Sequence, residues 1–192
     1  MRWTNQEHIY GLWLMAKISL NQAQNYLSAE AYAANLGVPW NRHLTIHWHL
    51  AGLEGRAIDL TRTLLQKSAD WLEYRGVLPV WGYVIEAGYK GEHSHIRVHV
   101  PPDRFLSWRR MVDRWIKSMG GTRAKGAAKA TKCLRSTGNR WLDVRDLNRY
   151  LLKDCDDKTR ELLNIEKPGN RIQPAGKRIG VSQNLGPRAR AA

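Results

Sequence analysis

The histidines of this sequence are concentrated where they could bind a metal ion. All seven lie within the first hundred of its 192 residues. On a β-strand, residues two apart point to the same face, so His93, His95 and His99 would share one face with Arg97. Two imidazoles at this spacing direct their nitrogens toward a common point, which is what a divalent cation needs from its first two ligands.

A third ligand is expected from a neighbouring strand. Glu86 stands at the end of a β-rich stretch, just before the turn that precedes the histidine strand. His99 and His47 are the other candidates for this position. The hairpin therefore predicts a metal site built from His93, His95 and Glu86.

A candidate nucleophile lies further along the chain. Helical periodicity predicts a helix from a cap at Asp143 to about Asp157, with its apolar residues facing inward. Tyr150 and Lys153 are three residues apart in this helix and would therefore share one face. Such a pair would set a tyrosine hydroxyl beside an ammonium group that can hold a phosphate oxygen.

The elements that position these residues follow from hydrophobic periodicity and turn residues. From residue 43 to 135 the predicted order is strand, helix, strand, strand, helix, strand, which is the split β-α-β order of ferredoxin-like domains. We expect an α+β fold with a ferredoxin-like or RRM-like antiparallel central sheet and flanking helices, preceded by an N-terminal helical segment over residues 1–40. The predicted helices cover 5–36, 54–75, 103–119 with a cap at Asp103, and 143–157; the predicted strands cover 42–51, 80–87, 94–100 and 127–135.

The net charge of +14 is confined to two segments. Residues 114–142 and 167–192 contain no Asp or Glu, whereas basic and acidic residues balance in the remainder of the chain. Gly and aromatic residues punctuate the first segment, which is typical of a groove that follows a phosphate backbone. The second segment is expected to form a basic C-terminal arm. The candidate DNA contacts in the first segment are Arg123, Lys125, Lys129, Lys132 and Arg135.

Composition excludes several classes of protein. Nine Trp and seven Tyr provide too much apolar burial for a disordered chain, and two cysteines are too few for a disulfide-stabilised scaffold. No stretch approaches the roughly 18 consecutive apolar residues of a membrane-spanning helix. Nor is there a pattern typical of a signal peptide. We therefore expect a cytoplasmic protein with polyanionic partners and no membrane association.

Three stretches together resemble the motifs of the HUH endonucleases, which initiate rolling-circle replication of plasmids and phages. The stretches are LTIHW at 44–48, EHSHIRVHVP at 92–101 and YLLK at 150–153. Their order and spacing match the family, so the resemblance assigns an HUH-type endonuclease domain to residues 41–166. Three residues depart from the family pattern: Ser94 replaces a bulky hydrophobe, Arg97 an apolar residue and Asp154 a small one.

The resemblance implies a reaction in which Tyr150 attacks a DNA phosphodiester, leaving a 5′-phosphotyrosine and a free 3′-hydroxyl. A free tyrosine, with a pKa of about 10, is a poor nucleophile near neutrality. A metal on the scissile phosphate and a lysine near the phenolate, here Lys153, are therefore both needed. The metal implied for the predicted site is Mg²⁺ or Mn²⁺, and a mixed nitrogen and carboxylate ligand set favours Mn²⁺. Thr45, in the first motif, becomes a further candidate DNA contact.

The implied partner is single-stranded or locally melted origin DNA in a prokaryotic host cell. The sequence contains no Gly-x4-Gly-Lys-Ser/Thr phosphate loop, so a separate helicase would have to supply unwinding. Residues 1–40 match none of the family motifs.

Other functions stay open on the residues alone. Ser94 and Arg97 would suit a non-catalytic DNA-binding relative of the same fold. His43-Leu44-Thr45-Ile46 fits the motif of two-histidine phosphoesterases that act on RNA, but that family needs the motif twice. A second copy would fall near His93 or His95, where His95 and Arg97 occupy the Thr/Ser position, so the pattern fails. A zinc hydrolase that uses three histidines of the second cluster is a further alternative.

Overall fold

The computed structural model describes residues 17–88, 91–132, 140–166 and 177–192. Short 3₁₀ turns at Pro102–Arg104 and Gln183–Leu185 accompany the regular elements. In chain order these elements are α1 (Leu20–Asn35), β1 (Arg42–His47), α2 (Ala57–Glu73), β2 (Trp81–Gly88), β3 (Gly91–Val98), α3 (Phe105–Ser118), β4 (Ala128–Lys132), α4 (Arg140–Leu151), α5 (Asp157–Leu162), β5 (Ile179–Val181) and α6 (Pro187–Ala191).

The five strands form one antiparallel sheet in the order β4-β1-β3-β2-β5. The predicted α+β fold is confirmed, with α2 and α3 as the crossover helices between the strands. The register places Thr45 of β1 opposite both His95 of β3 and Lys129 of β4. On the other side of β3, Glu86 of β2 is the partner of His93.

Each face of the sheet carries its own apolar core, and on one face Lys129 and Thr131 of β4 stay exposed. One core packs α2 and α3 against strand residues that include Ile46 and Ile96. The other packs α1 and the chain around the end of α4 against strand residues that include Val84 and Ile179. Because each core excludes water, a charged side chain that points from the central strands into either core needs a partner.

The structure revises two sequence-based assignments, one at the end of β1 and one at the start of α3. The strand predicted to reach residue 51 ends at His47, because the next residues form turns in which the Ala51 amide donates to the His47 carbonyl. Asp103 does not cap α3; it lies in the preceding 3₁₀ turn, and α3 begins at Phe105 without a side-chain cap.

None of the helices in the described part of the chain has both the length and the apolar character needed to cross a membrane.

The helix predicted over 143–157 is two helices. α4 ends at Leu151, and α5 begins at Asp157 with Asp156 as its N-cap. Between them, Ile18 forms a parallel β-bridge with Cys155, and its amide and carbonyl hydrogen bond to the backbone on either side of that residue. This pairing with a distant segment takes the backbone out of the helix.

Residues 177–192 of the predicted basic C-terminal arm pack against the rest of the domain, whereas residues 167–176 lie outside the described ranges. β5 pairs with β2 at the edge of the sheet, and Leu185 is fully buried in the second core. Arg190 donates a hydrogen bond to the side chain of Asn25 on α1. The arm was inferred from charge, but enough apolar residues accompany that charge for the segment to pack.

Candidate metal and tyrosine site

The three predicted metal ligands lie together on one face of the sheet. Glu86 is the cross-strand partner of His93, and His95 follows on the same face of β3. One ligand atom from each lies within 4.8 Å of the others. The closest contacts are 3.2 Å between Glu86 Oε2 and His93 Nε2, and 3.6 Å between Glu86 Oε1 and His95 Nε2. Glu86 and His95 are only 1% and 3% exposed, whereas His93 is half-buried.

The outer nitrogens of both imidazoles are occupied by neighbours. His95 Nδ1 lies 3.2 Å from His43 Nε2 and 3.3 Å from Thr45 Oγ1. His93 Nδ1 donates to the Gly91 carbonyl at 3.4 Å. Contacts of this kind orient an imidazole and direct its other nitrogen toward a metal. Among the described residues, His95 Nε2 is buried without a hydrogen-bond partner, which fits a position for a cation.

The carboxylate of this cluster is held in its charged form. Burial alone raises the pKa of Glu86, but His93, His95 and the positive charge of Lys153 outweigh it, and the pKa lies below its usual range. Lys153 Nζ donates to both oxygens of Glu86, at 2.6 and 2.7 Å. An ionised carboxylate is the form that binds a metal.

His95 is held in its neutral form. Burial is the main reason that the pKa of His95 lies below its usual value; Glu86 opposes this shift, and Lys153 adds to it. A neutral imidazole keeps the lone pair that a metal ligand needs.

Tyr150 comes to this cluster from the last turn of α4. Its ring stands edge-on to the His95 ring, with 5.5 Å between centroids, and the residue is 48% exposed. Lys153 lies in the turn after the helix, not on the predicted shared helical face, yet its Nζ is 3.8 Å from the centre of the Tyr150 ring. The lysine thus contacts both the carboxylate and the tyrosine.

The two alternative ligands lie beside or away from this cluster. The His47 ring stacks on that of His93, with 5.2 Å between centroids. His99 donates from Nδ1 to the Pro39 carbonyl at 2.9 Å. Neither residue belongs to the group of three donors, which consists of Glu86, His93 and His95.

The predicted DNA contacts are spread over more than one surface. Lys129 is exposed and shares the face of the sheet that carries the cluster, because it is the partner of Thr45. Lys125 is exposed in the loop before β4, and Arg123 forms an ion pair with Asp113 at 3.2 Å. Lys132 ends β4 in register with Arg42, and Arg135 lies outside the described residues. Thr45 itself contacts His95.

Two residues that depart from the motif pattern have structural partners. Ser94 points into the core on the opposite face, where it accepts a hydrogen bond from Trp48 Nε1 at 2.7 Å and lies 2.6 Å from the Thr61 hydroxyl. Arg97 is fully buried and forms an ion pair with Glu30 of α1. A buried indole N–H needs a hydrogen-bond acceptor, so Trp48 in the first motif is a sequence feature that favours a polar partner such as Ser94. No local pattern marks Glu30 as the partner of Arg97.

No protein-family model matches this sequence, and comparisons with curated proteins and with solved structures find no match.

Proposed function

We propose that this protein nicks and rejoins single-stranded DNA through Tyr150 and so initiates rolling-circle replication of a plasmid or phage. The observation that carries the proposal is the contact of Tyr150 with His95 and Lys153 at the edge of the Glu86-His93-His95 cluster. The β2–β3 hairpin supplies the three cluster residues, whereas Tyr150 and Lys153 come from a distant part of the chain, in and just after α4. A nucleophile, a cation-binding group and a nearby ammonium are the parts that phosphoryl transfer to tyrosine requires.

The residues have distinct tasks in the proposed reaction. The Tyr150 hydroxyl loses its proton as its oxygen attacks phosphorus, the phosphorus–O3′ bond breaks, and the leaving O3′ takes up a proton. The products are a 5′-phosphotyrosine and a free 3′-hydroxyl. Mg²⁺ or Mn²⁺ held by the buried cluster would polarise the phosphate and spread its developing charge. Lys153, already beside Tyr150, stabilises the phenolate or a phosphate oxygen. Because the 3′-hydroxyl can attack the phosphotyrosine in turn, the same residues support rejoining.

The open part of the site face supplies a path for the DNA strand. On β1, His43, Thr45 and His47 are half-buried, and on β4, Lys129 and Thr131 are exposed. These side chains share the face that carries the cluster, as the strand register requires. Exposed cationic and hydroxyl groups on one face suit contacts to a phosphate backbone.

A second candidate function rests on the contact between His43 Nε2 and His95 Nδ1 at 3.2 Å. Two adjacent imidazoles could act as acid and base in a two-histidine phosphoesterase. Such an enzyme would work without a tyrosine nucleophile. Its activity on RNA ends would therefore survive a change of Tyr150 to Phe and be lost on a change of His43 to Ala.

The proposed function is tested with single-stranded oligonucleotides that carry a label at the 3′ end. In Mn²⁺ or Mg²⁺, the wild-type protein should become labelled on a denaturing gel, because the 3′ fragment stays linked to the tyrosine. Tyr150→Phe should yield no labelled protein, whereas the control Tyr74→Phe, at a residue that is 86% exposed, should be labelled like wild type. Labelling of Tyr150→Phe, or no labelling of wild type across varied oligonucleotides and both metals, contradicts the proposal.

A further inference from the structure

The buried Arg97 and Asn148 and the partly buried Glu30 form a closed hydrogen-bonded ring beside the site. Arg97 of β3 donates from Nη1 to Asn148 Oδ1 of α4 at 2.7 Å, and from Nη2 to Glu30 Oε1 of α1. Asn148 Nδ2 closes the ring by donating to Glu30 Oε2 at 2.6 Å. Each member therefore contacts both others, and the ring joins one strand to two helices.

The chemistry of this ring makes it a rigid connection. The guanidinium is planar, and its two terminal nitrogens bind two acceptors in a fixed relative direction. Arg97 is 0% exposed, so its charge depends on Glu30 for compensation. The Trp40 ring covers the guanidinium at 5.2 Å. Gly82 makes room for this indole, because a Cβ at Gly82 would lie 2.5 Å from Trp40.

The ring connects the two halves of the proposed site. Arg97 lies two residues beyond His95 on the same face of β3. Asn148 lies two residues before Tyr150 in α4. Rotation or sliding of α4 against β3 would break the bonds of Asn148 and would also change the distance from Tyr150 to His95.

We propose that Arg97, Asn148 and Glu30 are positioning residues that hold Tyr150 at the metal cluster. An effect of these residues on the reaction rate rests on the proposed nicking function, whereas their effect on the position of Tyr150 does not. The inference gives α1, which matched no motif, a task in the site: Glu30 sets the direction of the guanidinium that in turn holds α4. The inference also gives Arg97 a positioning role in the site, in contrast to the non-catalytic relative that this residue would suit on sequence alone.

The first test separates position from stability. Asn148→Ala removes the link to α4 and leaves the Arg97–Glu30 ion pair in place. Misplacement of a reacting group by about 1 Å can cost on the order of 100-fold in rate, so adduct formation at saturating DNA and Mn²⁺ should slow by about that factor. Mn²⁺ binding should stay within about twofold of wild type, because no ligand changes. Leu65→Ala, in the core on the opposite face, is the control: it should lower Tm and leave the rate unchanged at temperatures where it is folded.

A double variant guards against loss of folding. Arg97→Met with Glu30→Leu replaces a buried ion pair by apolar groups, a change that often preserves stability. If the ring acts only through stability, this variant should form adduct at the wild-type rate. We expect it to be folded and slow.

The second test needs neither DNA nor activity. The nuclear Overhauser effect between the Tyr150 and His95 rings, 5.5 Å apart between centroids in the wild type, should weaken in Asn148→Ala and persist in Leu65→Ala. An unchanged effect, or an unchanged adduct rate in a folded Asn148→Ala protein, overturns the inference. If the wild type forms no adduct at all, the proposed nicking function fails, and the ring-to-ring effect alone decides whether the three residues position Tyr150.

Discussion

The contact between Lys153 and Glu86 makes a quantitative prediction about metal binding. An ammonium group 2.6 and 2.7 Å from the two carboxylate oxygens occupies directions from which a metal would approach. Unit charges 4 Å apart interact by about 1 kcal/mol in water and about 4 kcal/mol at an effective dielectric constant of 20, and a divalent ion doubles both values. Lys153→Met should therefore bind Mn²⁺ more tightly than wild type.

The lower part of this range applies because the Lys153 side chain is 16% exposed and can swing outward on its flexible stem. A gain of about 2 to 2.8 kcal/mol corresponds to a roughly 30- to 100-fold lower Kd. Isothermal titration with Mn²⁺ measures this change directly, and the rise in Tm with Mn²⁺ should be larger in the variant than in wild type. Lys158→Met, at an exposed position on α5, is the control for net charge. An unchanged or weaker affinity in Lys153→Met would refute competition between the lysine and the metal for Glu86.

Three further predictions concern the surroundings of the site. Ser94→Ala removes the acceptor of the Trp48 indole in a buried position, so the free energy of unfolding should fall by about 1 to 3 kcal/mol in urea titrations; no loss would contradict the role assigned to Ser94. Lys129→Ala should weaken binding of a single-stranded oligonucleotide and flatten its salt dependence without changing Mn²⁺ affinity, and an unchanged salt slope would take Lys129 off the DNA path. Asp156 caps α5 because its carboxylate accepts a hydrogen bond from the Thr159 amide, and this bond lowers the pKa of Asp156. Asp156→Ala should therefore lower the free energy of unfolding by about 0.5 to 2 kcal/mol above about pH 4. In urea titrations at different pH, this difference from wild type should shrink as the pH falls through the lowered pKa of Asp156. Asp156→Asn keeps a capping oxygen and should lose less stability at neutral pH.

Local patterns predicted the part of the site that depends on neighbouring residues. Strand alternation determines that His93 and His95 share a face, and the hairpin brings Glu86 opposite His93. The order of strands and helices likewise predicted the antiparallel sheet. The shared face of His93 and His95 follows from the period of two that every β-strand has.

Contacts between distant segments decided what the sequence could not predict. The pairing of Ile18 with Cys155 interrupts the helix predicted over 143–157, so Lys153 reaches Glu86 from a turn.

The sequence by itself predicted the shared face of His93 and His95 and the order of the elements from β1 to β4, because both follow from local periodicity. Only the tertiary structure determined the partners that allow Arg97 to be buried, because Glu30 and Asn148 come from two separate helices. The cost of an unpaired charge between two packed layers makes those long-range partners necessary, and no spacing within one segment records them.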